Sequence, residues 1–406
     1  MKKFFCLISL LLVGFFCFAQ GTRLSFATPE SMGMDSERLS KVDDIMNKSI
    51  RDTTIPGAVV CVVRGDKIVY LKAYGNKAVY PKVEKMTTNT VFDLASCSKC
   101  VGTTLSFMQL IESGKVRLID RVDMYIPDFQ PYEDENGKKT HIRVIDLMTH
   151  TSGLPAYVNP SVIKEKYGNT NPESLLDWIA HCKREFRPTT GYRYSCLNFI
   201  TLQNILQVVT GEKLCDYAQK NVFDRLGLEF TTYSPKLQKK KNIMKLVAPT
   251  EKQADGKCLL GEVHDPLARV CGNGNSGNAG VFSNAEDLAV ICAALLNGGE
   301  YDGKRILGPL TVKAMRTVPF EVRRFGRTLG WDNDVIYYTA GDLLSPETFG
   351  HTGYTGPSIV IDPVTKTAVI ILANRVHPYD TGGLARERAT VASVVAGAII
   401  KVDLSN

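Results

Sequence analysis

The stretch from Phe92 to Thr104 reads FDLASCSKCVGTT, and within it Ser96 and Lys99 are separated by two residues. Three positions along a helix bring two side chains onto one face, where a lysine amine can approach a serine hydroxyl. The same spacing recurs from Ser161 to Lys164, in SVIK. Spacing by itself does not distinguish a nucleophile and its activating amine from two polar residues at a helix start. The surrounding sequence has to.

The chain opens with MKKFFCLISLLLVGFFCFAQ, in which two lysines precede an apolar run from Phe4 to Phe18 and then small or polar residues. That is the make-up of a secretory signal peptide over residues 1–20, cleaved near Ala19 to Gly21. No other stretch is long and apolar enough to cross a bilayer. The expectation is an exported protein of the bacterial periplasm. The formal charge of +7 includes Lys2 and Lys3 of the leader. The densest basic run, KLQKKKNIMK from Lys236 to Lys245, has no interleaved aromatics and reads as a solvated loop, so no nucleic-acid partner is expected. Cys61, Cys271 and Cys292 read as buried thiols. Cys97 and Cys100 form a C-x-x-C, yet no second C-x-x-C and no H-x-x-x-H completes a metal site. Neither a metal nor a cofactor is expected.

From Ser31 to Asp52 the apolar residues Leu39, Val42, Ile45, Met46 and Ile50 form one helical stripe, with Asp35 as N-cap. GAVVCVVRGDKIVYLKAYG then gives two β-branched runs around Arg64-Gly65-Asp66, a hairpin signal. Beyond Ser96 the pattern turns mainly helical, over 101–112, 145–148, 173–183 and 198–209. After Gly277 it predicts a helix over 284–296, strands over 358–362 and 368–372, and a last helix over 386–402. Helices, antiparallel hairpins and a helical insertion indicate an α+β fold. The sheet domain would comprise residues 21–95 and 275–406, and a mainly helical domain, 96–274, would be inserted in it.

Several longer segments bear on the first Ser-x-x-Lys: PGAVVCVV at 56–63, FDLASCSK at 92–99, LMTHTSGLP at 147–155, YSCLNF at 194–199, NAGVFSNAEDLA at 278–289 and HTGYTGPSIVIDP at 351–363. Carrying these in order, the chain resembles the serine β-lactamase and penicillin-binding-protein superfamily, in particular its class C-like branch of esterases, DD-peptidases and acyltransferases. The resemblance implies a β-lactamase/transpeptidase-like fold and an acyl-enzyme mechanism. It leaves Ser161 to Lys164 outside any such context.

Acyl transfer through serine needs a nucleophile, a base near it and donors aimed at the developing oxyanion. Ser96 supplies the hydroxyl and Lys99 the neighbouring amine. By resemblance, the Tyr194 phenol shares the proton work, and the backbone N–H groups of Ser96 and Tyr354 form the oxyanion hole. His351, Thr352 and Gly353 match the Lys/His-Thr-Gly strand that lines such sites. His150 and Asn198 are further candidates for the substrate pocket, His150 more as a residue that shapes a loop. Two departures bear on substrate. Position 196 is cysteine where penicillin-recognising relatives have an asparagine that holds the acylamido chain. His351 replaces a permanent cation with a group mostly uncharged at neutral pH. Carboxylate binding should therefore weaken, favouring short-chain esters over penicillins and cephalosporins.

No G-x-S-x-G nucleophile elbow occurs, which argues against an α/β-hydrolase. The expected function is hydrolysis of an ester or amide of a small molecule through acyl-Ser96. Transfer of the acyl group to an alcohol or amine acceptor is the alternative. A non-catalytic sensor that keeps the fold would have lost part of the set Ser96, Lys99, Tyr194 and Gly353, all of which are present.

Overall fold

The computed structural model describes residues 23–333 and 339–402. The leader expected over residues 1–20 lies outside the described residues. The run GAVVCVVR forms the strand Gly57–Arg64, whose side chains alternate across the sheet. Val59, Cys61 and Val63 enter one apolar core, while Ala58, Val60 and Val62 enter another. Burial on both faces is why this strand reads as a continuous apolar run. The chain turns at Gly65, whose φ of +63° suits glycine, and returns antiparallel as Lys67–Ala78.

On its other side Gly57–Arg64 pairs antiparallel with Thr367–Ala373, followed by Ser358–Asp362 and then Phe349–Thr352. With short edge pieces at Ser25–Phe26 and Glu84–Lys85, these strands form a seven-stranded sheet drawn from both ends of the chain. The architecture is α+β. The sheet departs from the antiparallel pattern expected of it at one edge, where Ser25–Phe26 pairs in parallel with Lys67–Ile68.

One face is covered by the helices Lys41–Arg51 and Ala385–Gly397, with Val42, Met46, Val391 and Val395 in the shared core. The other face packs on helix Ala285–Leu296 and, beyond it, on a helical region that includes Leu105–Glu112 and Cys196–Thr210. Lys236, Lys239, Lys240 and Lys241 of the basic run are all exposed.

Three helices differ from their sequence patterns. Asp35 caps a helix by accepting from the Arg38 N–H at 3.0 Å, but that helix ends at Leu39, and Lys41–Arg51 follows as a separate one. The helix expected from 101 begins earlier, as a wide turn with i→i+5 bonding over Lys99–Thr104. The last helix stops at Gly397, short of 402. Beyond it the Ile400 and Lys401 N–H groups donate to the Gly33 carbonyl, so a long-range partner takes bonds that helix continuation would use.

Candidate active site

Ser96 is presented by a short, firmly held turn. Strand Phe92–Asp93 pairs with Val281–Ser283, and the Asp93 carboxylate accepts from the Ala95 N–H at 2.9 Å and the His264 N–H at 2.7 Å. Ala95 adopts φ +44°, a left-handed conformation that costs a non-glycine residue about 1 kcal/mol. Strain of this kind persists where surrounding bonds over-determine the turn. Immediately after it, Ser96 lines a cavity of about 770 Å³.

One turn further on, Lys99 is fully buried. Its ammonium donates to Ser96 Oγ at 3.1 Å and to the Asn278 carbonyl at 2.9 Å, and it lies 3.6 Å from Cys196 Sγ. Burial pushes the amine toward losing its proton, and the Cys196, Tyr194 and Asp265 groups oppose this strongly enough that the net shift is upward. The net direction favours the ammonium form of Lys99, placed beside Ser96. Its Nζ lies 5.0 Å from the Tyr194 ring centre. The Tyr194 hydroxyl is buried and has no hydrogen-bond partner of good geometry. Burial raises its titration point, against which Lys99 pulls down. A lysine and a tyrosine beside one serine can move a proton off Oγ and on to a leaving group once the pair has shed one proton, with Tyr194 as phenolate beside the Lys99 ammonium.

His150 and Asn198 do not contact the cavity, which corrects their assignment to the substrate pocket. Both are fully buried. The Ser195 N–H and the Asn198 amide both donate to His150 Nδ1 at 3.0 Å, and Ser152 Oγ donates to Asn198 Oδ1 at 2.6 Å. The His150 carbonyl accepts from the Arg193 N–H at 3.0 Å. His150 thus holds the backbone on both sides of Tyr194, and its ring packs 4.5 Å from the Tyr194 ring. The amide of Asn198 is consumed in this network and is not a substitute for the one missing at Cys196.

The opposite wall is the edge strand Phe349–Thr352. His351 lines the cavity there with Thr352, Gly353 and Tyr354. Its Nδ1–H donates to the Thr352 carbonyl at 2.7 Å, which leaves Nε2 as an unprotonated, unpartnered acceptor. Burial first, and then Arg327 and Lys99, hold the imidazole well below its usual titration range, so it is uncharged. Gly353 is required by proximity, because a β-carbon there would run into the Leu94 carbonyl. Thr355 Oγ1 donates to the Asp93 carbonyl at 2.7 Å, a second tie between this loop and the nucleophile turn. The Ser96 and Tyr354 N–H groups have no partner among the described residues. Two unpaired donors on adjoining segments of one cavity suit a developing oxyanion.

Sequence reasoning missed four arginines in this cavity: Arg193, Arg327, Arg375 and Arg388. Arg193 is paired with Glu185 at 2.7 Å. Arg375 is committed to the Tyr354 and Gly382 carbonyls at 2.6 Å each and to Asp380. Arg388 donates to the Gly353 and Gly356 carbonyls at 3.1 and 2.6 Å. Arg327 is 1% exposed and pairs through Nη1 with Asp332, while its Nε and Nη2 are buried without partners. His351 is uncharged, as its sequence position led one to expect, and Arg327 adds to the same cavity wall a guanidinium from another loop, paired with Asp332. No motif marks these arginines, which lie far along the chain from Ser96. Asn278, whose carbonyl holds Lys99, sits in a recognisable segment, but its role depends on a backbone atom that no side-chain pattern reveals.

A beta-lactamase family model matches residues 42–393. An Escherichia coli K12 protein described as "Putative D-alanyl-D-alanine carboxypeptidase" is 33% identical, over 93% of this chain and 92% of its own. A Salmonella agona protein of the same description is 32% identical, over 87% and 86%. Among solved structures, EstCE1, "a hydrolase with promiscuous acyltransferase activity", superimposes with a TM-score of 0.70 at 24% identity, covering 89% of this chain and 99% of that one. A penicillin-binding-protein homologue from Caulobacter crescentus does so with 0.67 at 17% identity, covering 90% and 98%. These two likenesses show the β-lactamase/transpeptidase-like fold. With the family match spanning most of the chain, Ser96 and Tyr194 lining one cavity and Lys99 bonded to the serine from behind it, the protein belongs to the beta-lactamase family of serine acyl-transfer enzymes.

Proposed function

We propose that this chain is an exported serine hydrolase that cleaves an amide or ester whose leaving group carries a free carboxylate, as the C-terminal residue of a D-alanyl-D-alanine peptide does. The observation that carries this reading is the free face of Arg327. A buried guanidinium with two unpartnered nitrogens is costly unless an anion completes it. Arg327 lines the same cavity as Ser96, with these two nitrogens covered in the resting site, so an incoming carboxylate has to displace the side chains over them. The description of the curated relatives as carboxypeptidases supports the same chemistry. Ser96 Oγ attacks the carbonyl carbon and gives its proton to the Tyr194 oxygen, which enters the step as the phenolate paired with the Lys99 ammonium. The oxyanion rests on the Ser96 and Tyr354 N–H groups. The same pair then protonates the departing amine, and water later attacks the acyl-Ser96 ester.

The test compares an N-acylated peptide ending in D-alanyl-D-alanine with its C-terminal amide. Cleavage of the acid should exceed that of the amide by roughly 10-fold or more, and Arg327→Met should erase the difference. Equal rates on acid and amide in the wild type would overturn the carboxylate reading. Export is checked by fractionation of a bacterial host: protein retained in the cytoplasm with residues 1–20 intact would count against it.

A second reading, acyl transfer to an alcohol or amine, is favoured by the size of the cavity, about 770 Å³, which leaves room for an acceptor beside the acyl group. Adding small alcohols during turnover should then yield new esters in competition with the free acid. Free acid alone at every acceptor concentration would remove that reading.

A further inference from the structure

The Gly353–Tyr354 peptide receives unusual support from the last helix. Arg388, on Ala385–Gly397, is buried, and its Nη2 donates to the Gly353 carbonyl at 3.1 Å and the Gly356 carbonyl at 2.6 Å. Arg375 Nε donates to the Tyr354 carbonyl at 2.6 Å, which fixes the next peptide. The Gly353 carbonyl and the Tyr354 N–H belong to one planar trans peptide, so they point in opposite directions and turn together. Gly353 has no side chain to restrain this peptide; within the turn the Gly356 N–H donates to the Gly353 carbonyl at 3.1 Å, and Arg388 adds a charged donor to the same oxygen.

We infer that Arg388 aims the oxyanion hole: by holding the Gly353 carbonyl it fixes the direction of the unpaired Tyr354 N–H in the cavity that Ser96 lines. The inference rests on the acyl-Ser96 reading above. Arg388 is a positioning residue, since its bound donors go to backbone carbonyls. A cation on the carbonyl side also polarises the peptide, which strengthens the N–H as a donor. Burial lowers the titration point of Arg388 to about 10, so it still carries its charge at neutral pH.

The experiment uses the intact protein, a neutral aryl ester with no carboxylate, and phenylboronic acid, whose Ser96 adduct places an oxygen in the oxyanion hole. Arg388→Met should lower kcat about 10- to 100-fold, less than the loss of a whole oxyanion donor, with KM within about twofold. Boronic acid affinity should fall in parallel, and Arg388→Lys should retain an intermediate kcat. Unchanged kcat in folded Arg388→Met overturns the inference. So does a rise in KM confined to carboxylate-bearing substrates, which would make Arg388 a substrate contact. If thermal melting shows that the methionine variant does not fold, the lysine variant is judged by the same criteria. A wild type without ester turnover that depends on Ser96 removes the acyl-enzyme reading and this inference together. Turnover that depends on Ser96 but not on Arg388 removes the inference alone.

Discussion

Two Ser-x-x-Lys tetrads in this molecule have the same spacing and opposite surroundings. Ser161 and Lys164 lie on the short helix Pro160–Tyr167, and both are exposed. The Ser161 N–H donates to the capping Asn159 Oδ1 at 2.9 Å, an ordinary helix start. Ser96 lines the cavity, and Lys99 is buried beneath it, bonded to the serine and to the Asn278 carbonyl. The i,i+3 relation brings a hydroxyl and an amine together in both places. Reactivity depends on what surrounds them: a low-dielectric wall that strengthens every charge–dipole contact, a second proton carrier, and unpaired N–H donors for the oxyanion.

The largest expected effect sharpens this contrast. Ser96→Ala should lose on the order of 10⁴-fold or more in kcat/KM and all covalent labelling by a fluorophosphonate, whereas Ser161→Ala should stay within about twofold. Activity retained by the Ser96 variant would break the comparison at its root. Next come the proton carriers. Lys99→Ala and Tyr194→Phe should each slow acylation about 100-fold in single-turnover experiments, with Lys164→Ala as the unaffected counterpart. A normal rate in either active-site variant would take that residue off the proton path.

Arg327 tests how far the favourable surroundings of Ser96 extend. Losing a charge-assisted hydrogen bond is worth about 1.5 to 3 kcal/mol, so Arg327→Met should cost roughly 10- to 150-fold in kcat/KM on a carboxylate-terminated peptide. On a neutral ester the loss should be much smaller, and an equal loss on both substrates would point to a packing role.

The smallest effect concerns stability. Folding keeps His150 and His351 uncharged, through burial first and then through Arg327 and Lys99. The unfolded chain protonates both below about pH 6.5, so their contribution is complete above that pH and is lost as pH falls, by up to about 1.4 kcal/mol per pH unit each. Asp287 works the other way, since burial raises its carboxyl to about 6 and the folded chain then binds a proton the unfolded chain lacks. Between pH 6.5 and 5, denaturant unfolding of His351→Gln should therefore lose stability less steeply than the wild type. Identical slopes would show that His351 takes up a proton in the folded chain.

The sequence by itself determined the elements whose information is local. The β-branched run at 57–64, the Arg64-Gly65-Asp66 turn, the cap at Asp35 and the ordered motifs from Ser96 to Gly353 all depend on neighbours within a few residues, and together they specified the sheet and the family and nominated Ser96, Lys99 and Tyr194 for the chemistry. Only the tertiary structure decided what depends on distant partners. The last helix ends at Gly397 because Gly33 competes for its N–H groups. His150 and Asn198 face each other because Ser152 and Ser195 complete their bonds. Arg327 and Arg388 reach the Ser96 cavity from loops and helices more than two hundred residues away along the chain. The physical reason is that an arginine in a sequence has no direction. Its charge becomes a binding face or a backbone clamp only when folding decides which of its donors are already taken, and by what.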